Sequence, residues 1–263
     1  MEEKMPDTIE YADIPYLVEI LSYLPLDPVD DEDVQSYIQN ITNLIAINYK
    51  YEQYQFAYFG IHLLYMTYVY CTIWKISRIN PERYCDAVVF AKPYFGRESD
   101  FDIENVTSIF EYSIIPEKEI SKIFKIIGLD KAQINSVRGL VVIRNDMAHA
   151  SGKFEILTEE SFGVKANSII TSMKNIHNSM DKQIRKWFLD ILLRFNGEEF
   201  SDYENISDII SEQMIQNFKL SSNELIICNT MSLKAFMEQD GVKATRIKEF
   251  KASVSQYCQQ LEI

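Results

Sequence analysis

The sequence predicts an all-α fold: an antiparallel helical bundle followed by a C-terminal helical extension. Three observations carry this. With 8 Gly and 7 Pro in 263 residues, the chain has too few breakers for a sheet protein with many turns. Apolar residues recur at three- and four-residue steps over long stretches, the spacing of one helix face. Hydrophobic residues make up 47% of the chain, enough for a sizeable core at a length that suits one core with additions.

Residues 1–31 form an acidic arm with four prolines, Pro6, Pro15, Pro25 and Pro28. Within it, Leu17, Ile20, Leu21 and Leu24 share one side of a short helix spanning Ile14 to Leu24. From Asp33 to Ser77 no Pro interrupts the pattern, and Gly60 is the sole glycine. Val34, Ile38, Ile41 and Ile45 step by four, three and four, so one long helix is expected, or two nearly collinear ones meeting near 49–55. Asn80-Pro81 ends it. Residues 81–115 look like an insertion, with a short strand at Ala87–Ala91, a loop at 92–98 and a helix through Tyr112. Pro116 opens a helix over 117–127, closed by Gly128. Asp130 caps the next helix, 131–148. A second long helix covers 165–195 and stops at Asn196-Gly197. The bundle is thus placed at 32–197. The remaining residues, 198–263, read as three shorter helices near 203–219, 222–238 and 242–261.

The formal net charge is −13, which argues against a general nucleic-acid binder. Its distribution says more. Residues 131–195 carry ten Lys and Arg against six Asp and Glu, whereas residues 1–40 hold eleven Asp and Glu and one Lys. The acidic arm is therefore a candidate cover for a basic site. Cys71, Cys85, Cys228 and Cys258 are scattered without a C-x-x-C pair, which reads as reduced thiols in a cytoplasmic protein with neither disulfide frame nor metal site. No basic segment followed by an apolar run marks a secretory signal at the N-terminus. Phe56 to Trp74 is apolar and uncharged over nearly the length of a membrane span. Its Tyr58, Tyr65, Tyr68, Tyr70 and His62 fit better with a helix buried at the centre of a bundle, and no membrane is expected. His62 itself reads as a hydrogen-bonded core residue. The sequence has no Gly-rich phosphate loop, and no cofactor is expected.

The stretch 140–153 carries the chemistry. On a wheel of 100° per residue, Arg138, Asn145 and His149 fall within about 40° of each other. Arg144 falls instead in the middle of the apolar side formed by Ile134, Val137, Val141 and Ala148, with Leu140 and Met147 next to them. An unpaired guanidinium there is very costly. Two solutions stay open: a buried carboxylate clamps Arg144, or its side of the helix borders a polar cleft where it meets an anion. Arg supplies a permanently charged fork that matches phosphate oxygens, and His moves protons near neutral pH. Together they suit metal-free RNA cleavage. Arg144 and His149 lie about 140° apart on one helix, so flanking one phosphate takes two copies related by a two-fold axis.

Arg144-Asn145-Asp146-Met147-Ala148-His149 resembles the motif of the HEPN superfamily, an Arg, a polar residue that is often Asn, three residues and a His. The motif lies near the end of a helix after an apolar run, with a small-residue turn and another long helix behind it. The resemblance covers about residues 33–195. It implies a HEPN-like bundle that dimerises and cleaves RNA without metal, leaving a 2′,3′-cyclic phosphate and a 5′-hydroxyl, as toxins and antiviral defence effectors of that superfamily do. By this resemblance Arg144 contacts the scissile phosphate, His149 transfers the proton, and Asn145 orients His149 or the phosphate. Charge and position add Arg138 and Lys153 as RNA-backbone contacts. The expected partners are an RNA substrate, a second copy of the chain, and an antitoxin or regulatory protein. In a toxin subfamily controlled by a nucleotidyltransferase antitoxin, a Tyr stands two residues after the His; here that position is Ser151. The alternative is a non-catalytic helical binding or scaffold module of the same fold, with Arg144 as a structural clamp.

Overall fold

A computed structural model describes residues 14–26, 32–89, 102, 105–148 and 156–263, with backbone alone at 32, 33, 147 and 148. All regular structure among them is helical, as the sparse breakers imply.

The first helix, α1 (Leu17–Leu21), has five residues, too few to hold itself by hydrogen bonding. It is shorter than the Ile14–Leu24 segment expected, and packing holds it. Leu17, Ile20 and Leu24 are buried, each contributing about 1.5–3 kcal/mol by leaving water. Glu19 on its outer side pairs with Lys174.

α2 (Glu32–Lys50) and α3 (Tyr54–Ile79) are not collinear. They form an antiparallel hairpin. The reversal is made at Tyr51-Glu52-Gln53, where Glu52 takes the left-handed conformation at φ 58° and the Gln53 N–H returns to the Asn48 carbonyl at 2.8 Å. The sequence has no Gly or Pro there to announce a turn. Gly60 is what lets the two helices close. A Cβ at that position would stand 2.5 Å from Ile45 Cγ1 and 3.0 Å from Leu44 Cδ2.

α3 is the axis of the molecule, and 83% of its most apolar 18-residue window is buried within the protein. Several of its polar side chains are bonded inside the fold. Tyr65 Oη meets Ser172 Oγ at 2.8 Å, Tyr68 Oη donates to the Met173 carbonyl at 3.0 Å, and Trp74 Nε1 donates to the Asn217 carbonyl at 2.8 Å. Thr67 and Thr72 bond back to the carbonyls four residues earlier. Lys75, fully buried, is paired with Glu224.

Pro81 does not only end α3; it begins α4 (Pro81–Val88), at the position that needs no N–H donor. Ala87 and Val88 are therefore helical, not the start of a strand. The helix expected through Tyr112 is a tighter 3-10 turn over Ile109–Ile114, with Ser108 and Glu111 as its capping box. α5 (Glu117–Ile120) runs into a second 3-10 segment, Ser121–Ile127, which Gly128 closes at φ 95°. α6 (Lys131–Ala148) follows. Asp130 caps it as expected: its Oδ1 accepts from the Gln133 N–H at 2.8 Å, and Gln133 Oε1 accepts from the Asp130 N–H at 2.9 Å.

α7 (Glu159–Asn196) starts six residues before the apolar periodicity does, because Thr158 and Ser161 build a capping box there. It runs in the same direction as α3. Near its start Phe162 packs on Tyr54, and further along Ser172 meets Tyr65.

The C-terminal segment is more broken than its periodicity suggests. α8 (Ile206–Ile209) continues as a π-helical turn over Ile210–Asn217. α9 (Ser222–Thr230), α10 (Lys234–Met237) and α11 (Ala244–Gln260) follow. These helices pack onto α3 and α7. Phe218 stacks on Trp187 with ring centres 3.7 Å apart, and Phe250 lies between Phe188 and Phe195. One continuous apolar cluster includes residues from Ile14 through Cys258.

Candidate functional site

α6 has two faces. Val137, Leu140 and Val141 are buried against the bundle. On the other side Arg138, Val142 and Asn145 follow one another at helical spacing, Arg138 and Asn145 half-buried and Val142 41% exposed. Gly139 adds an open patch to that surface, since a Cβ there would meet nothing within 4 Å.

Arg144 sits on the inner face, where the wheel puts it. Its guanidinium is paired through Nη2 with Glu117 Oε1. The other carboxylate oxygen, Oε2, faces His62 Nε2 at 3.4 Å. The three residues come from three elements: His62 from the middle of α3, Glu117 from the first residue of α5 after Pro116, and Arg144 from the last turns of α6. Of the two solutions open to a guanidinium at this position, the carboxylate pair is the one present. It lies at the edge of the core, with 21% of each side chain exposed.

The ionisation states follow from burial and charge. Burial pushes the Glu117 carboxyl up, but hydrogen bonds from His62 and Arg144, with the charge beside it, outweigh burial and hold it below the usual carboxylate range. Burial pulls His62 below its ordinary value; the Glu117 hydrogen bond and charge act the other way, and Arg144 adds to the lowering. A neutral His62 donating from Nε2 to Glu117 leaves Nδ1 as an acceptor. That atom is buried with no hydrogen-bond partner among the described residues, as is Arg144 Nε. The array is therefore a neutral imidazole, a carboxylate and a guanidinium in a row.

His62 is the buried, hydrogen-bonded residue the sequence predicts. Its link through Glu117 to Arg144 is not legible there. No spacing relates residues 62, 117 and 144, and Glu117 looks like any acidic residue in a first helical turn. Arg138 and Asn145 share the outer face of α6, as predicted, while Arg144 points inward away from them. His149 and Lys153 lie outside the described residues. No group of three His, Cys, Asp or Glu suited to a metal ion occurs among the described residues. No disulfide joins the four cysteines, and Cys71, Cys228 and Cys258 are buried.

The arrangement can do two things chemically. It can lock α3, α5 and α6 together through one carboxylate. It can also hold an arginine fork in a fixed orientation with part of it open to solvent, which is what an oxyanion site requires. Compared with protein-family models, curated proteins and solved structures, the chain matches none of them.

Proposed function

We propose that the protein is a metal-independent endoribonuclease of the HEPN type, with Arg144, Asn145 and His149 from two copies lining one cleft. The observation that carries this reading is the Arg144 guanidinium. It is anchored by Glu117 at the edge of the core, yet a fifth of its side chain stays exposed, and it stands at the Arg position of the Arg-Asn-x3-His motif. The ribose 2′-oxygen attacks the adjacent phosphorus, and the bond to the 5′-oxygen breaks. One His149 takes the 2′-hydroxyl proton and the other protonates the leaving 5′-oxygen. The products are a 2′,3′-cyclic phosphate and a 5′-hydroxyl. Arg144 stabilises the dianionic phosphorane. The outer stripe of half-buried Arg138 and Asn145 and exposed Val142, with its open glycine, supplies a surface on which a second copy and the RNA backbone meet. A role as a toxin or antiviral defence effector, held in check by an antitoxin or regulatory protein, rests on the motif resemblance.

A second reading is favoured by a specific contact. The Glu117–Arg144 pair with His62 behind it is what a structural clamp in a non-catalytic scaffold looks like. The two part on chemistry. His149→Ala is expected to abolish cleavage of single-stranded RNA while fold and dimer persist, and EDTA is expected to leave wild-type cleavage intact. Arg144→Lys keeps a cation for Glu117 but loses the fork, so it is expected to melt within a few degrees of wild type and to cleave poorly. Wild-type cleavage by the His149→Ala protein would leave the scaffold as the better reading.

A further inference from the structure

We infer that Glu117 and His62 are positioning residues for Arg144, which they hold as the phosphate-binding group. This deepens the nuclease reading above and rests on it. An arginine side chain has many rotamers to lose, and a guanidinium off by one rotamer presents the wrong edge to a phosphate. Glu117 Oε1 fixes one end of the fork. A carboxylate held by one contact alone can still rotate about its own bonds. Here Oε2 is held as well, by His62 Nε2, so the carboxylate plane is set at both oxygens.

The base of the relay is rigid. His62 is fully buried in α3, most of whose residues are buried. Glu117 follows Pro116, whose φ of −54° is fixed by its ring. Rigid support of this kind is how groups that never touch a reactant still control one that does. Charge favours the same role. Arg144 brings one positive charge and Glu117 one negative, and the neutral imidazole adds none. A carboxylate on the inner end of the fork leaves its outer end to an incoming phosphate, while the cation remains neutralised in the free protein.

The test uses the full chain with the variants His62→Leu, His62→Gln and Glu117→Gln, read by kcat and KM on a single-stranded RNA oligonucleotide. His62→Leu fills the buried volume without a donor, and Glu117 keeps Arg144, so the fold is retained. It is expected to lower kcat by about 10–100-fold, the range for residues that orient a functional group, with KM changed less than about threefold. His62→Gln restores an N–H donor and is expected to recover most of the rate. A purely structural role would move the melting temperature and leave this kcat difference between Leu and Gln absent. Wild-type kcat in His62→Leu, or equal rates for Leu and Gln, would overturn the positioning role while a dead His149→Ala protein kept the nuclease reading. An independent readout needs no RNA. The ¹⁵N signals of the Arg144 Nη atoms are expected to be resolved by slow rotation in the wild-type protein and merged in Glu117→Gln. Merged signals in the wild type would overturn the fixation itself. A wild-type protein that leaves RNA intact would overturn the nuclease reading and this catalytic role with it.

Discussion

Two ion pairs in this molecule are built from the same parts and sit in different surroundings. In each, a cation from a long helix meets a glutamate in the first turn of a short one. Lys75 of α3 pairs with Glu224 of α9, the two side chains 1% and 5% exposed. Arg144 of α6 pairs with Glu117 of α5, both 21% exposed. The first pair is sealed. Glu224 Oε2 also accepts the Ser221 N–H at 2.9 Å as half of a capping box, and Asn223 beside it bonds to Ser22 at 2.9 Å. No part of that lysine is available to a ligand. The second pair keeps one edge in water and has an imidazole, not a backbone amide, at its back. Identical charge chemistry thus serves two ends: one pair fixes how the C-terminal segment docks on α3, and the other presents a cation at the surface.

The largest expected effect is on the sealed pair. Lys75→Met strands a buried carboxylate and is expected to cost about 3–5 kcal/mol, seen as a lower midpoint in urea. Lys75→Met with Glu224→Gln is expected to recover most of that, because the amide still serves the cap without a buried charge. An unchanged midpoint for the single variant would show that water reaches Glu224, and the contrast between the pairs would collapse.

The contrast also marks where the sequence is legible. The central helix reads directly from residues 56–74, since an unbroken apolar run admits few other solutions. Helix 131–148 and its Asp130 cap are equally local. The α2–α3 hairpin is not legible, because its turn is made by Tyr51, Glu52 and Gln53, residues with no turn preference. What forces it is tertiary: Gly60 lets Ile45 approach, and closing the hairpin buries both helices. The site divides the same way. The inward position of Arg144 follows from helix geometry alone, and so does the need for a partner. Glu117 as that partner depends on where α5 lands after the 81–115 segment, and His62 depends on the rotation of α3 about its axis. Neither leaves a trace in local spacing.

The intermediate effect is on the open pair. Arg144→Ala leaves Glu117 with His62 and with water at its exposed edge. Its cost is expected at about 1–3 kcal/mol, that of an unsatisfied polar group, and below that of Lys75→Met. Calorimetry of the two single variants side by side checks the order. A larger loss for Arg144→Ala than for Lys75→Met would make the open pair the stronger structural clamp and would favour the scaffold reading.

The smallest effect comes from pH, and it acts on the open pair through His62. Burial holds His62 below its ordinary value of 6.5 in the folded protein. The unfolded chain therefore binds the proton first as pH falls. Stability is fully present above 6.5 and declines as pH drops from there through the lower folded value, with a slope of at most about 1.4 kcal/mol per pH unit for one proton. Glu117 acts in the same direction further down: its carboxyl is held below the ordinary 4.5, so its contribution is lost only as pH falls beneath that value. His177, also lowered by burial, adds a second decline in the window below 6.5, so the measurement compares variants rather than one curve. His62→Leu is expected to flatten the stability profile between about pH 6.5 and 5, and His177→Leu to flatten it separately. In the doubly substituted protein the decline that remains begins near the carboxylate range, where Glu117 gains its proton and releases Arg144 and where Glu111 and Glu198, also held low, add their own losses. A profile unchanged by His62→Leu would mean that His62 is free to take a proton in the folded state, and the imidazole would then be a third charge in the site and not a neutral support for Glu117.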